Sequence, residues 1–354
     1  LATTATNASG TKQSIPFRAA SARHRKSSVY TIPWASGSRV SLGLNNIGYQ
    51  NELQIKLNLT LTVSGSGTVT DAANAVSNYL PIIGLRSPQG EYIWSTNSRD
   101  LFDFQYRYWD SVTPSSDPSY ATWSPASATA QNVQLRLRIP TAINDGTNFD
   151  FGMLMRQISN NQFYLDLNMA NLTSDLQGAG SCTISSITGT ITVEEIYYDA
   201  VQDPRVIPPN FNQYIRLRSA QSPSLITGLN DVRYDTGPVI MDALHRIMNN
   251  GAADGTIANV AYIQTLANKG NEIDNRTGDR LAFDSTMHLG KNFRAGCYHL
   301  DFCDDADLVN ATKGRDLINS NLAAQLDFMI QYGGTPSGSS NINTVYREIV
   351  TLGA

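Results

Sequence analysis

The chain of 354 residues is 41% hydrophobic, which excludes a disordered protein, and its length suits two domains of ordinary size. Charged residues are only 16% and the net charge is -4, which excludes a general attraction to nucleic acid or to an anionic membrane. Three cysteines, an odd number, argue against a secreted disulfide framework and for reduced thiols in a cytoplasm.

In chain order, "LATTATNASGTKQS" has no apolar core of the signal-peptide kind and reads as a polar tail. "FRAASARHRKSS" (17–28) is the basic cluster of the chain, with Arg18, Arg23, Arg25 and Lys26 around His24. Two readings stay open: an arm meeting lipid headgroups or nucleic acid, or a solvated tail before the first strand. In "NELQIKLNLTLTVSG" (51–65), Leu53, Ile55, Leu57, Leu59, Leu61 and Val63 alternate with polar residues, which predicts a strand with one buried face. Burying six such side chains contributes roughly 9–18 kcal/mol before entropy.

"YIWSTNSRDLFDFQYRYWD" (92–110) concentrates Tyr92, Trp94, Phe102, Phe104, Tyr106, Tyr108 and Trp109. Aromatics at this density suit a core or a buried subunit interface. "VQLRLRI" (133–139) and "FYLDLNM" (163–169) are further alternating strands, and "CTISSITGTITVEEIYY" (182–198) slips by one residue between Ile184 and Ile187, which predicts a β-bulge. Adjacent carboxylates such as Glu194 and Glu195 read as solvated edge residues. "VQDPRVIPPNF" (201–211), with three prolines, predicts an extended linker that divides the chain.

Beyond it, "TGPVIMDALHRIMNNG" (236–251) and "DGTIANVAYIQTLANKG" (254–270) place apolar residues at helical spacing and stop at glycine, which predicts two helices. "GCYHLDFCDD" (296–305) is a strand with Tyr298, Leu300 and Phe302 toward the core and Cys297, His299, Asp301 and Cys303 on the opposite, polar face. Its spacing fits structural zinc poorly, so no metal or other cofactor is assigned. "LAAQLDFMIQY" (322–332) supplies a late strand, and turns fall at 64–67, 87–90, 144–146 and 333–340. Many half-buried strands joined by polar loops argue for antiparallel sandwiches or barrels.

No catalytic spacing of nucleophile and base is present, and no catalytic residue is assigned. Two alternatives to a structural protein stay open: a monomeric carbohydrate-binding or adhesin-type β-sandwich, and a hydrolase with carboxylates converging from Glu91, Asp100 or Asp103.

The order of features carries a resemblance. The basic segment leads into "SVYTIPWASGSRVSLGLNNIGYQNELQIKLNLTLTVSG"; later come "VEEIYYDAVQDPRVIP" and "KNFRAGCYHLDF", then "LAAQLDFMIQYGG" and "NTVYREIVTLGA". Over nearly the whole chain this resembles the major capsid proteins of tailless, internal-membrane-containing bacteriophages of the tectivirus type. The resemblance implies an all-β chain of two consecutive eight-stranded antiparallel jelly rolls with a few short helices, mainly in the second half. It divides the chain into a flexible arm at 1–27, a first jelly roll at 28–203 and a second at 204–354. It further implies a homotrimer of pseudo-hexagonal outline that tiles an icosahedral virion shell, assembled in the host cytoplasm alongside minor capsid proteins. Arg18, Arg23, Arg25 and Lys26 would then face an internal membrane, without specific nucleic acid recognition. The aromatics at 92–109 would lie at subunit interfaces, and the loops at 111–130 and 333–343 would make towers or contacts between capsomers.

Overall fold

The computed structural model describes residues 14–65, 79–108, 130–144, 150–155, 162–172, 182–220, 223–250, 252–289, 296–302 and 317–351. Among the described residues, the first half has eight strands of five or more residues: β1 (Arg23–Pro33), β2 (Arg39–Gly43), β3 (Tyr49–Gly65), β4 (Ile82–Arg86), β5 (Tyr92–Thr96), β6 (Ala130–Pro140), β7 (Tyr164–Asn168) and β8 (Cys182–Tyr198). They pair as two sheets, β1–β8–β3–β6 and β2–β7–β4–β5. The second half repeats the plan with β9 (Gln213–Ser219), β10 (Gly228–Tyr234), β11 (Val239–Asn249), β12 (Val260–Ala267), β13 (Asn271–Thr277), β14 (Cys297–Asp301), β15 (Leu326–Tyr332) and β16 (Asn341–Thr351). Its sheets run β9–β16–β11–β14 and β10–β15–β12–β13. Numbered from its own start, each half has the order 1-8-3-6 facing 2-7-4-5. That is the jelly-roll arrangement, present twice.

Alternation made the first half legible. Leu53, Ile55, Leu57, Leu59 and Leu61 are all buried, as are Leu135, Leu137 and Ile139 opposite them. The bulge in β8 falls between Ile184 and Ser186, where its pairing with β3 shifts. The turn at 87–90 joins β4 to β5, and the one at 333–340 joins β15 to β16.

The helical readings of 236–251 and 254–270 do not hold. The first is β11, whose nine interior residues are all buried. It is covered by its own barrel on one face and by the other half of the chain on the other, so the wet positions that mark period 2 are missing. The second is a short 3-10 turn, Ile257–Asn259, followed by β12. What looked like a helix end is a hairpin turn with Asn268 and Lys269 both at positive φ.

The longer helices lie elsewhere, one in each half: α2 (Ser98–Tyr108) and α3 (Gly278–Leu289), with a single turn, α1 (Phe17–Ala20), near the start and a second 3-10 turn at Ser320–Leu322 in the second half. Each long helix follows the fifth strand of its jelly roll and packs on the sixth.

Two further boundaries shift. The segment expected to be a flexible arm through residue 27 already holds α1 and the start of β1. Phe17 is buried against Tyr49 and Tyr198, with ring centroids 5.6 and 5.8 Å apart. The proline-rich seam is also tied down, because Val206–Ile207 pairs in parallel with Ile15–Pro16.

Candidate functional site

The two jelly rolls meet along a built junction. β5 joins β9 through the parallel pair Ser95–Arg218, so one sheet runs from the first unit into the second. The first hydrophobic core continues across it, taking in Tyr214, Ile215, Leu217, Leu244 and Val345 of the second half. Trp94 is buried, and its Nε1–H donates to the Ile215 carbonyl at 2.8 Å. α2 reaches the face of the β9–β16–β11–β14 sheet on the side of the first half through Asp100 and Phe104.

Asn97 starts α2, its Oδ1 accepting from the Asp100 backbone N–H at 2.8 Å as a cap does. Asp100 then reaches Arg246 of β11, with Nη1 2.7 Å from Oδ1, and accepts from Ser219 Oγ at 2.8 Å. Both partners of the ion pair are almost wholly buried, Asp100 at 3% exposed and Arg246 at 1%. Burial alone would raise the carboxyl pKa; Arg246, Arg99 and Ser219 outweigh it and hold Asp100 below the usual carboxylate range. Of the three carboxylates named for the hydrolase alternative, Asp100 is thus locked into an internal pair.

The residues of "GCYHLDF" divide as the period-2 reading predicts, but the face read as polar is not wet. Tyr298, Leu300 and Phe302 enter the second core, while Cys297 and His299 are buried against the first half. Phe104 of α2 meets the His299 ring edge-on at 5.7 Å, and burial pushes the Cys297 thiol pKa up. Asp242 faces the same junction and is held by Arg347. Read as a helix, "VIMDALHRIM" would have set Asp242, His245 and Arg246 in water; as a strand it buries all three.

The aromatics at 92–109 are thus largely an interface inside one chain. Trp94, Phe102 and Phe104 are buried, which removes them from any contact between chains, whereas Tyr92 is 48% exposed and donates to Asp166 at 3.1 Å. Tyr106 and Tyr108 lie on α2, and Trp109 lies outside the described residues, as do Cys303 and the loop at 111–129. The cap Asn97-Ser-Arg-Asp100 was the sequence signal for α2 that the density of aromatics obscured.

The basic cluster also takes part in the fold. Arg25 donates to Glu194 on the outer face of the β1–β8–β3–β6 sheet at 2.6 Å, and Lys56 binds the other oxygen of the same carboxylate. Arg136 and Arg138 extend this face, reaching Gln54 at 2.8 Å and Glu52 at 2.6 Å. Glu194 and Glu195 are buried rather than solvated. Arg18 lies 5.5 Å from the Tyr198 ring centroid and Lys26 5.8 Å from that of Tyr197, while Arg23 and Lys26 are exposed.

The sequence matches no protein-family model and no curated protein. The fold, in contrast, is found in solved viral coat proteins. The MCP of STIV, Sulfolobus Turreted Icosahedral Virus, superposes with a TM-score of 0.68 at 11% identity, covering 93% of this chain and 97% of that one. PBCV-1 VP54, fitted into a reconstruction of the virophage Sputnik, gives 0.62 at 12% identity over 93% of each chain. The major capsid protein P2 of bacteriophage PM2 gives 0.53 at 10% identity over 94% of this chain and 98% of that one. The chain therefore has the double jelly-roll fold of these capsid proteins.

Proposed function

We propose that this chain is a viral major capsid protein that assembles as pseudo-hexagonal homotrimers, and that these tile an icosahedral shell around an internal membrane. The observation that carries the reading is the repeat: two units of identical strand order, set side by side in one chain, in a fold shared over 93% of its length with capsid proteins. Three such chains offer six near-equivalent barrels, so a trimer can pack as a hexagon. The work of such a protein is burial at repeated contacts and needs no catalytic group. Its place is the virion, after assembly in the host cytoplasm, and its partners are other copies of itself and minor capsid proteins.

On this reading α1 and the start of β1 lie on the inner side of the shell. Arg18, Arg23 and Lys26 meet anionic headgroups there, whereas Arg25 serves mainly to hold Glu194. Light scattering at micromolar concentration tests the assembly. A stable species at three times the 38.6 kDa of one chain supports it. A strict monomer across salt and pH overturns it, and glycan-binding screens for the adhesin-type alternative become the next step.

A further inference from the structure

The two jelly rolls share a strand order but differ at one edge. In the first, β1 and β2 end the two facing sheets, and the Tyr30 hydroxyl bridges them by donating to the Gly43 carbonyl at 2.7 Å. In the second, a cleft of about 570 Å3 lies between the corresponding strands β9 and β10. Arg218 and Pro223 line it from one side, Asp231, Arg233 and Asp235 from the other, and Tyr346 of β16 forms part of its wall. Its volume falls in the range of small-ligand sites, about 300–1,000 Å3.

One wall is firmly built. The Arg218 guanidinium lies over the Tyr234 and Tyr346 rings, 5.4 and 5.6 Å from their centroids, and Glu348, wholly buried, holds it at 3.0 Å. Arg218 also reaches Asp235 at 3.2 Å, but that carboxylate is 86% exposed, so the contact is weak and open to exchange. Asp231 and Arg233 project from β10 with exposed side chains, and neither forms a side-chain hydrogen bond or ion pair with another described residue. Tyr346 is wholly buried, yet its hydroxyl has no hydrogen-bond partner among the described residues.

These groups select a ligand chemistry. Two arginines and two aspartates balance, so an ion of either sign would meet a like charge for every opposite one and would lose its hydration on entry. A neutral molecule with many hydroxyls carries no such penalty. Each hydroxyl can donate to a carboxylate or accept from a guanidinium, and adjacent hydroxyls match the planar two-point geometry of both groups. Ala220 and Pro223 add apolar surface to the cleft for the C–H face of a sugar ring. We propose that the cleft between β9 and β10 binds a short neutral glycan, with Asp231, Arg233 and Asp235 holding its hydroxyls.

Saturation-transfer NMR on the full chain tests this, with maltotriose, cellotriose, mannotriose and chitotriose as neutral probes and sialyllactose as the anionic one, each at millimolar concentration. At least one neutral probe should receive saturation, and sialyllactose none. Asp231→Asn and Arg233→Gln, both at exposed positions of β10, should each weaken that binding about tenfold or more, the loss that goes with one charge-assisted hydrogen bond, and leave the circular dichroism unchanged. Transfer to none of the probes overturns the proposal, and so does binding that both variants leave unaltered. Preferential binding of sialyllactose, lost in Arg233→Gln, overturns it in favour of an anion site. The site is complete within one jelly roll, so each result is read independently of the light scattering that tests assembly.

Discussion

Removing either partner of the Asp100–Arg246 pair should loosen the junction between the jelly rolls by far more than removing both. The pair is nearly dry, with Arg246 1% and Asp100 3% exposed and their closest atoms 2.7 Å apart. Arg246→Met leaves a buried carboxylate held by neutral groups such as Ser219 and Asn97 and by the more distant Arg99 at 4.0 Å; Asp100→Asn takes from the buried guanidinium its carboxylate partner. Each single change should cost about 3–5 kcal/mol, whereas the double variant, with neither charge of the pair left to desolvate, should fall within about 1–2 kcal/mol of the parent. Urea unfolding followed by tryptophan fluorescence reports on this region directly, because Trp94 sits in the junction. The three variants and the parent form a double-mutant cycle, and a coupling of several kcal/mol is expected. Single losses that simply add in the double variant would refute the claim that the two charges act as a unit. The pH dependence has a definite sign. Asp100 is held below the usual carboxylate range, so its contribution is present above the unfolded value of about 3.9 and is lost as pH falls through the folded one. The gap between parent and Asp100→Asn should therefore stay constant from neutral pH to about pH 4 and close below that.

Three further outcomes follow from single sites. His245 is fully buried inside the second barrel between Thr344 and Phe328, and burial, with His299 adding to it, lowers its pKa from 6.5 to about 3. Stability from this group is complete above 6.5 and declines as pH falls, by about 2 kcal/mol at pH 5; His245→Gln should flatten that decline, and equal urea midpoint shifts in both proteins between pH 7.5 and 5 would rule the effect out. Gly189 in β8 sits at φ +133°, where an added Cβ would lie 2.1 Å from the Asn58 carbonyl oxygen of β3. Gly189→Ala should cost at least about 1–3 kcal/mol and lower the melting temperature, and an unchanged melt would mean that the paired strands can shift apart. Glu194→Gln releases Arg25 and Lys56, whose exposure limits the loss to about 1–2 kcal/mol. The parent's stability should fall with added salt more than the variant's, as read from urea midpoints at low and high NaCl, and parallel salt curves would show that the cluster contributes nothing.

The sequence by itself determined the strands that have one wet face. Along most of β3, β6 and β7 apolar residues alternate with polar ones on the outer face, where water or the Arg136 and Arg138 side chains cover them, so alternation alone located these strands, and the slip between Ile184 and Ile187 exposed the bulge in β8. The order of these features along the chain also carried the resemblance to double jelly-roll capsid proteins. The tertiary structure decided what happens where that water is missing. β11 is covered on both faces, so its pattern ran continuous and imitated a helix, and its Asp242, His245 and Arg246 are buried with it. Their partners, Arg347, Thr344 and Asp100, lie about 100 or more positions away in the chain, and no local spacing can announce such pairs. For the same reason, the aromatics of 92–109 were legible as an interface but not as one between two halves of a single chain. Burial is a property of what a distant segment brings to a surface, and only the folded chain states which segment that is.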